Sequence, residues 1–255
     1  MKLFEKYINF IQNQSFSLSQ DCLPSELLIE ADGDLSVYYA PFDYINTEAK
    51  IVICGITSGF QQAILALGEA SKQLRQGATP EAAKLAAKNT ASFGGPMRSN
   101  LIRLLDYIGI PQKIDIDSCS ELFGSKSDLV HYTSALRYPV FKSLKNYSGT
   151  PSMVSKPILL RQLENYLLPE LKQLNSSTLI VPLGPKVEEA LSLAVEFGVV
   201  SQEQVLGGLP HPSGANSERI AYFLGEKTAD KLSAKTNPIK IDAAKEKVMA
   251  KVACI

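Results

Sequence analysis

Residues Lys50-Ile-Val-Ile-Cys-Gly-Ile-Thr-Ser-Gly-Phe60 decide the fold class. Ile51 to Cys54 form a short, continuous apolar run of β-branched character closed by Gly55, the pattern of a strand buried on both faces in a parallel sheet. The loop Gly55-Ile-Thr-Ser-Gly59 follows, and Phe60-Gln-Gln-Ala-Ile-Leu-Ala-Leu67 takes up helical spacing. A glycine-bracketed turn between a buried strand and a helix lies at the carboxyl end of a sheet, where open α/β folds place their ligands.

Working outward, the helix is expected to run to about Gln76 and stop at Gly77. A second starts at Thr79-Pro-Glu81, with Thr79 as cap, Pro80 in the first turn and Glu81 near the positive end. Alanines recurring through both predict close packing. Ala91-Ser-Phe-Gly-Gly-Pro-Met97 breaks the pattern and leaves Phe93 on a loop, after which Ser99 to Gly109 restore a helix with apolar residues at 101, 102, 104, 105 and 108. Asp128 to Leu136 and Thr178-Leu-Ile-Val-Pro-Leu-Gly184 read as further strands, residues 157–174 and the stretch from Pro185 as helices, and 204–209 as a last strand. Upstream, Met1 to Ile11 form an amphipathic helix, 12–34 a polar, turn-rich region around a short helix at Ser25 to Ile29, and Leu35 to Ala40 a strand. The tail is polar until an amphipathic helix over Ile241 to Val252. Alternating strands and helices predict an α/β protein, a three-layer α/β/α sandwich around a mostly parallel sheet. One domain over residues 1–255 is expected, decorated by the N-terminal segment 1–34, a helical insertion at 61–91 and the tail 226–255.

The last strand delivers Leu209-Pro-His-Pro-Ser-Gly-Ala-Asn216. Prolines on both sides hold the backbone extended at His211, so the imidazole is aimed rather than loose. Ser213 and Gly214 offer a hydroxyl, bare N–H groups and room for close approach, and Asn216 or Ser217 can cap the helix that follows. Such an element suits an anion or a developing negative charge.

Lysine plus arginine equals aspartate plus glutamate, 26 each, so no global field recruits nucleic acid and any basic footprint is local. One local stretch exists. From Leu129 to Leu163 there are Arg137, Lys142, Lys145, Lys156 and Arg161 and no acid, interleaved with Tyr132, Tyr138, Phe141 and Tyr147, which suits a phosphate-tracking segment with stacking rings. The four cysteines have neither Cys-x-x-Cys pairing nor ligand spacing with the two histidines, so no metal or cofactor is expected and a reducing cytoplasm fits. No apolar run has the length of a membrane span.

Four segments, in order, resemble the uracil-DNA glycosylase superfamily: GITSG after a strand, SFGGPMRSNLIRLLDYIGI, the strand HYTSALRYP, and LIVPLGPKVEEAL leading to LPHPSGAN. They span residues 50 to about 224, and the HPSGAN loop is the most specific. The resemblance implies a monofunctional DNA glycosylase that flips a damaged or modified base from DNA and hydrolyses its N-glycosidic bond, acting as a monomer in repair or in defence against phage. Carried over by position, water placement falls on Thr57 and its loop, stacking on Phe93, and reading of the base edge on Ser134 with Thr133, flanked by Ile56 and Ser58. Stabilisation of the departing base falls on His211. Gly55, Gly59, Ser213, Gly214 and Asn216 would grip DNA phosphates, joined by Arg137 and Lys142 from the basic stretch.

The chain departs from the superfamily twice. The first loop has Ile56, Thr57 and Ser58 where many members carry aspartate, asparagine or glutamate, so the usual water-activating base is missing there; its loss slows a glycosylase without necessarily silencing it, and Asp43 or another acid from a neighbouring loop could substitute. Ser134 stands where uracil-excising members have asparagine; a hydroxyl cannot match a uracil edge with donor and acceptor in one plane. With the 61–91 insertion, this points to a wider pocket and a bulkier base, such as the hypermodified cytosines of phage DNA. Two other classes remain open: a catalytically inactive DNA- or nucleotide-binding module, and a Rossmann-like small-molecule enzyme, for which the glycine spacing is incomplete.

Overall fold

The computed structural model describes residues 3–92 and 96–255. Along the chain lie α1 (Leu3–Asn13), β1 (Leu28–Asp32), β2 (Leu35–Tyr38), β3 (Ile51–Thr57), α2 (Phe60–Arg75), α3 (Pro80–Ala91), α4 (Pro96–Tyr107), α5 (Ile110–Ile114), β4 (Val130–Leu136), β5 (Val140–Lys142), β6 (Lys145–Asn146), α6 (Pro157–Gln162), α7 (Leu168–Leu171), β7 (Leu179–Pro182), α8 (Pro185–Glu196), α9 (Ser217–Phe223) and α10 (Pro238–Ala253). A π turn over Leu163–Leu167 joins α6 to α7.

The protein is mixed α/β, but among the described residues its strands form two sheets rather than one. Three make the order β4-β3-β7, with β3 and β7 parallel from Ile51↔Leu179 to Cys54↔Pro182. The other four make a separate antiparallel sheet in the order β1-β2-β5-β6. The expectation of a mostly parallel sheet is corrected by those four strands. β1 and β2 pair across Gly33, whose φ of 59° turns the chain within a region read as loop, and β5 and β6 lie in the basic stretch. The strand expected at 204–209 is a single parallel bridge, Ile180↔Val205.

The chain divides into two compact units, each assembled from three separate segments. The first comprises Met1–Ile45, Gly55–Ser92 and Tyr132–Leu171. In it α2 and α3 pack through alanines, with Ala63, Ala66, Ala70, Ala83 and Ala87 all fully buried, because small side chains let helix backbones approach. Thr79 caps α3 as its sequence predicts, its side chain accepting from the Ala82 N–H. The second comprises Asn46–Cys54, Phe93–His131 and Lys172–Ile255. Its centre is the pair β3 and β7: Ile51 to Cys54 are wholly inaccessible, as the unbroken apolar run requires, and Leu101, Leu104 and Leu105 of α4 are buried too. Burial of each such side chain stabilises by about 1.5–3 kcal/mol. Among the described residues no helix is long and apolar enough to cross a membrane.

Candidate functional site

In the second unit, the histidine loop is anchored from three helices. After β7 the Leu183 N–H donates to Cys54 O at 2.8 Å, and Gly184 then adopts φ 91°, ψ 167°, a conformation essentially restricted to glycine. His211 packs directly on it: a Cβ at 184 would lie 3.2 Å from the His211 Cβ. Upstream, Glu188 of α8 accepts from the Gly208 N–H at 2.8 Å, and a Cβ on Gly207 would meet that carboxylate at 2.9 Å. Gly208, at φ 109°, lies so close to α10 that a Cβ would stand 2.8 Å from Ala244 O. Downstream, Asn100 of α4 donates to Pro212 O at 3.0 Å.

This frame orients His211 and sets its tautomer. Its Nδ1 accepts from the Ser213 N–H at 3.2 Å, which places the proton of the neutral ring on Nε2, where it has no partner among the described residues. Burial alone lowers its pKa from the ordinary 6.5, so the ring is neutral at pH 7. The result is an oriented neutral N–H donor. The other histidine, His131, is buried and accepts from the Asn46 N–H through Nδ1 at 3.3 Å.

Beyond it, Asn216 donates to Ser213 Oγ at 3.0 Å and accepts from Arg219 at 2.6 Å, and its N–H closes the turn on Ser213 O at 2.9 Å, so the Ser213 and Asn216 N–H groups expected to grip phosphate are spent within the loop. Gly214 is exposed, its φ is not positive, and a Cβ there would meet nothing within 4 Å. The fold does not require glycine at 214.

The residues of the first loop lie in the first unit and are largely committed to structure. Gly55, Ile56 and Thr57 continue β3 instead of forming a loop. Thr57 donates its hydroxyl proton to Tyr138 O at 3.0 Å and accepts from the Val140 N–H at 3.2 Å, so it braces two chain segments and has no proton left for a water. At the start of α2 the Phe60 N–H donates to Asn146 Oδ1 at 2.9 Å and the Gly59 N–H to Gln62 Oε1 at 3.1 Å. A protein oxygen thus occupies the Gly59 N–H expected to grip phosphate, and a Cβ on Gly59 would lie 2.9 Å from Asn146 Nδ2. Ser58 and Thr133 differ: both hydroxyls are buried with no hydrogen-bond partner among the described residues. Ser134 is half-buried on the opposite face of β4. Phe93 lies outside the described residues.

The basic stretch is corrected most. Tyr132, Tyr138, Phe141 and Tyr147 are core residues, not stacking platforms. Arg137 donates through Nε to Glu170 at 2.6 Å and through Nη2 to Tyr166 O at 2.8 Å, an inward-facing pair that removes it from phosphate contact. Lys142 stays partly exposed, 3.9 Å from Asp34.

That buried network supports a carboxylate. Lys88 of α3, near Glu170, donates to Phe42 O at 3.3 Å and Tyr44 O at 2.6 Å, fixing both neighbours of Asp43. Asp43 accepts from Tyr39 through Oδ2 and from Tyr138 through Oδ1, each at 2.7 Å, and remains partly exposed. Burial, then the adjacent Asp43 charge, pushes both phenols well above 10, so they stay protonated donors. Among the described residues each carboxylate oxygen accepts one hydrogen bond.

Gly184, Glu188 and Asn100, like the partners of Asp43, carry no local signature beyond glycine at a helix start; only packing defines them. The chain is similar over almost its whole length to a protein of Bacillus subtilis (strain 168), the uncharacterized protein YoxB, with 34% identity over 249 residues, 97% of this chain and 96% of that protein. No protein-family model and no solved structure matches the chain.

Proposed function

We propose that this chain, which belongs to the same family as YoxB, is a DNA glycosylase that hydrolyses the N-glycosidic bond of a flipped-out, damaged or modified base and leaves an abasic site. One observation carries the reading: His211 is a neutral, oriented imidazole whose Nε2–H is unspent. When the bond from C1′ to the base breaks, the electron pair leaves with the base and positive charge develops on the sugar. A donor aimed at a base carbonyl is therefore worth most in the transition state. Water adds to C1′ and gives up its proton to a base, a role that Thr57, committed to Tyr138 and Val140, does not fill; losing a general base slows such a reaction without silencing it. Phe93 is the stacking ring in this reading, Ser134 or, from the other face of β4, Thr133 addresses the base edge with Ser58, and the turn at Ser213 to Asn216 takes a phosphate at its exposed Gly214 backbone. The unpartnered hydroxyls of Ser58 and Thr133 support base recognition, since buried donors without partners are costly unless a ligand satisfies them. The parallel sheet is then the centre of a three-layer sandwich of uracil-DNA glycosylase type. Flipping the nucleotide costs roughly a few kcal/mol, recovered in part by stacking worth about 1–3 kcal/mol.

The test is a base-release assay on duplexes carrying uracil, hypoxanthine, xanthine, and hydroxymethylated or glucosylated cytosine. Release of free base with a matching abasic site supports the reading, and release of a bulky modified cytosine supports the widened pocket. The commitment of Thr57 to the backbone favours a second reading, a non-catalytic DNA- or nucleotide-binding module. It predicts binding with no base released from any substrate.

A further inference from the structure

In the second unit a cavity of about 360 Å³, the size of a small-molecule site, opens between α8, residues 202–208 and the C-terminal half of α10. Leu191 and Val195 of α8, Val205, and Val248 of α10 give it aliphatic walls. No aromatic side chain lines it, so it offers a hydrocarbon body a surface and a nucleobase no ring to stack on. Its charges are unbalanced. Lys247 and Lys251, one turn apart on α10, both line it; against them stands Glu188, whose Oε1 is already engaged by the Gly208 N–H at 2.8 Å. Among the described residues neither lysine has an ion pair, and the Lys247 ammonium and the Gln202 amide have no hydrogen-bond partner. Lys251 donates to Gln202 O at 2.5 Å and Val205 O at 2.8 Å, which uses two of its three protons. Burial, then the charge of Lys247, lowers the Lys251 pKa, so the two ammonium groups are close enough to repel.

We propose that this cavity binds a small aliphatic carboxylate and that its occupancy is felt at the histidine loop. The carboxylate is held by Lys247, the third proton of Lys251 and the Gln202 amide, and the chain lies against Leu191, Val195 and Val248. An anion between the lysines offsets their repulsion and gains charge-assisted hydrogen bonds. The coupling runs through shared backbone. Gly207 and Gly208 line the cavity, Glu188 holds the Gly208 N–H, and a Cβ on Gly208 would lie 2.8 Å from Ala244 O, so this segment is tied to the walls three residues before His211. The inference makes no use of the glycosylase reading and is tested apart from it.

The experiment titrates the full chain with octanoate, and with octanamide as its uncharged match, by calorimetry and by NMR of the imidazole protons, which only His131 and His211 supply. Octanoate is expected to bind saturably at one site and to move the His211 resonance while His131 stays in place; octanamide is expected not to bind. Lys247→Gln, at an exposed position that the fold does not use, is expected to weaken octanoate about tenfold or more, the worth of a hydrogen bond to a charged group, with its melting temperature unchanged. Ser192→Phe, which fills the cavity from the exposed side of α8, is expected to abolish binding. No saturable binding of octanoate to wild type overturns the site, as does equal binding of octanamide or wild-type affinity in both variants. Binding that leaves the His211 resonance in place overturns the coupling to the histidine loop.

Discussion

The backbone N–H of Ser213 donates to Nδ1 of His211 at 3.2 Å, so the loop that positions the imidazole also fixes which nitrogen carries its proton. Protonating Nδ1 breaks that bond. Because burial lowers the His211 pKa, the folded protein binds fewer protons than the unfolded chain below the ordinary value of 6.5. Its contribution to stability is full above that pH and is lost as pH falls through the folded-state value. Urea unfolding followed from pH 7.5 to 5 should show midpoints declining on the acid side, and His211→Gln should remove that part of the decline. An unchanged acid limb in the variant would assign it to other groups.

Gly184 and Gly214 bracket the same loop and should respond oppositely to a methyl group. Gly184→Ala forces a side chain into a glycine-only conformation and against His211, and should cost about 1–3 kcal/mol in chemical denaturation. Gly214→Ala meets open space and should stay within about 0.5 kcal/mol of wild type. It should nonetheless weaken duplex binding about tenfold or more, the worth of a hydrogen bond to a charged phosphate that a methyl group would keep at a distance. Wild-type DNA affinity in Gly214→Ala would remove the phosphate role from this turn.

Asp43 is positioned by Tyr39, Tyr138 and the Lys88-held carbonyls, and these contacts predict a graded response. Asp43→Asn weakens both tyrosine hydrogen bonds and should cost about 1–3 kcal/mol of stability. Tyr138→Phe removes one orienting donor and should fall between that variant and wild type. Urea unfolding midpoints of the two variants measure these effects.

Arg137 tests the correction of the basic stretch. Its partner Glu170 is fully buried, so Arg137→Met removes the hydrogen-bonded guanidinium while the Lys88 ammonium stays 4.0 Å away, and should cost up to about 3–5 kcal/mol of stability. The salt dependence of duplex binding, measured on the fraction that remains folded, should not change. A shallower salt slope would return Arg137 to the phosphate contacts.

What could be read from the residues follows from how local each signal is. The buried run at Ile51 to Cys54, the Thr79 cap and the alanine-lined helices are set by neighbours in sequence and take the expected form. The antiparallel sheet was not legible, because β5 and β6 hold three and two residues and the partner of β5, β2, lies about a hundred positions earlier. For the same reason Arg137 read as a surface cation: Glu170, 33 positions away, is visible as its partner only after folding. In the candidate site the aimed His211 was legible from its flanking prolines. The commitment of Thr57 and the support around Asp43 were not, since both depend on Tyr138, some 80 and 95 positions distant.

The central claim is that the Nε2–H of His211 stabilises a departing base, and single-turnover base release by wild type and His211→Ala on the same modified duplex tests it most directly. The account predicts measurable release by wild type, a loss of about a hundred- to a thousand-fold in the variant, and nearly unchanged duplex affinity. Equal release rates in the two proteins, or no release by wild type from any duplex in the panel, would contradict it.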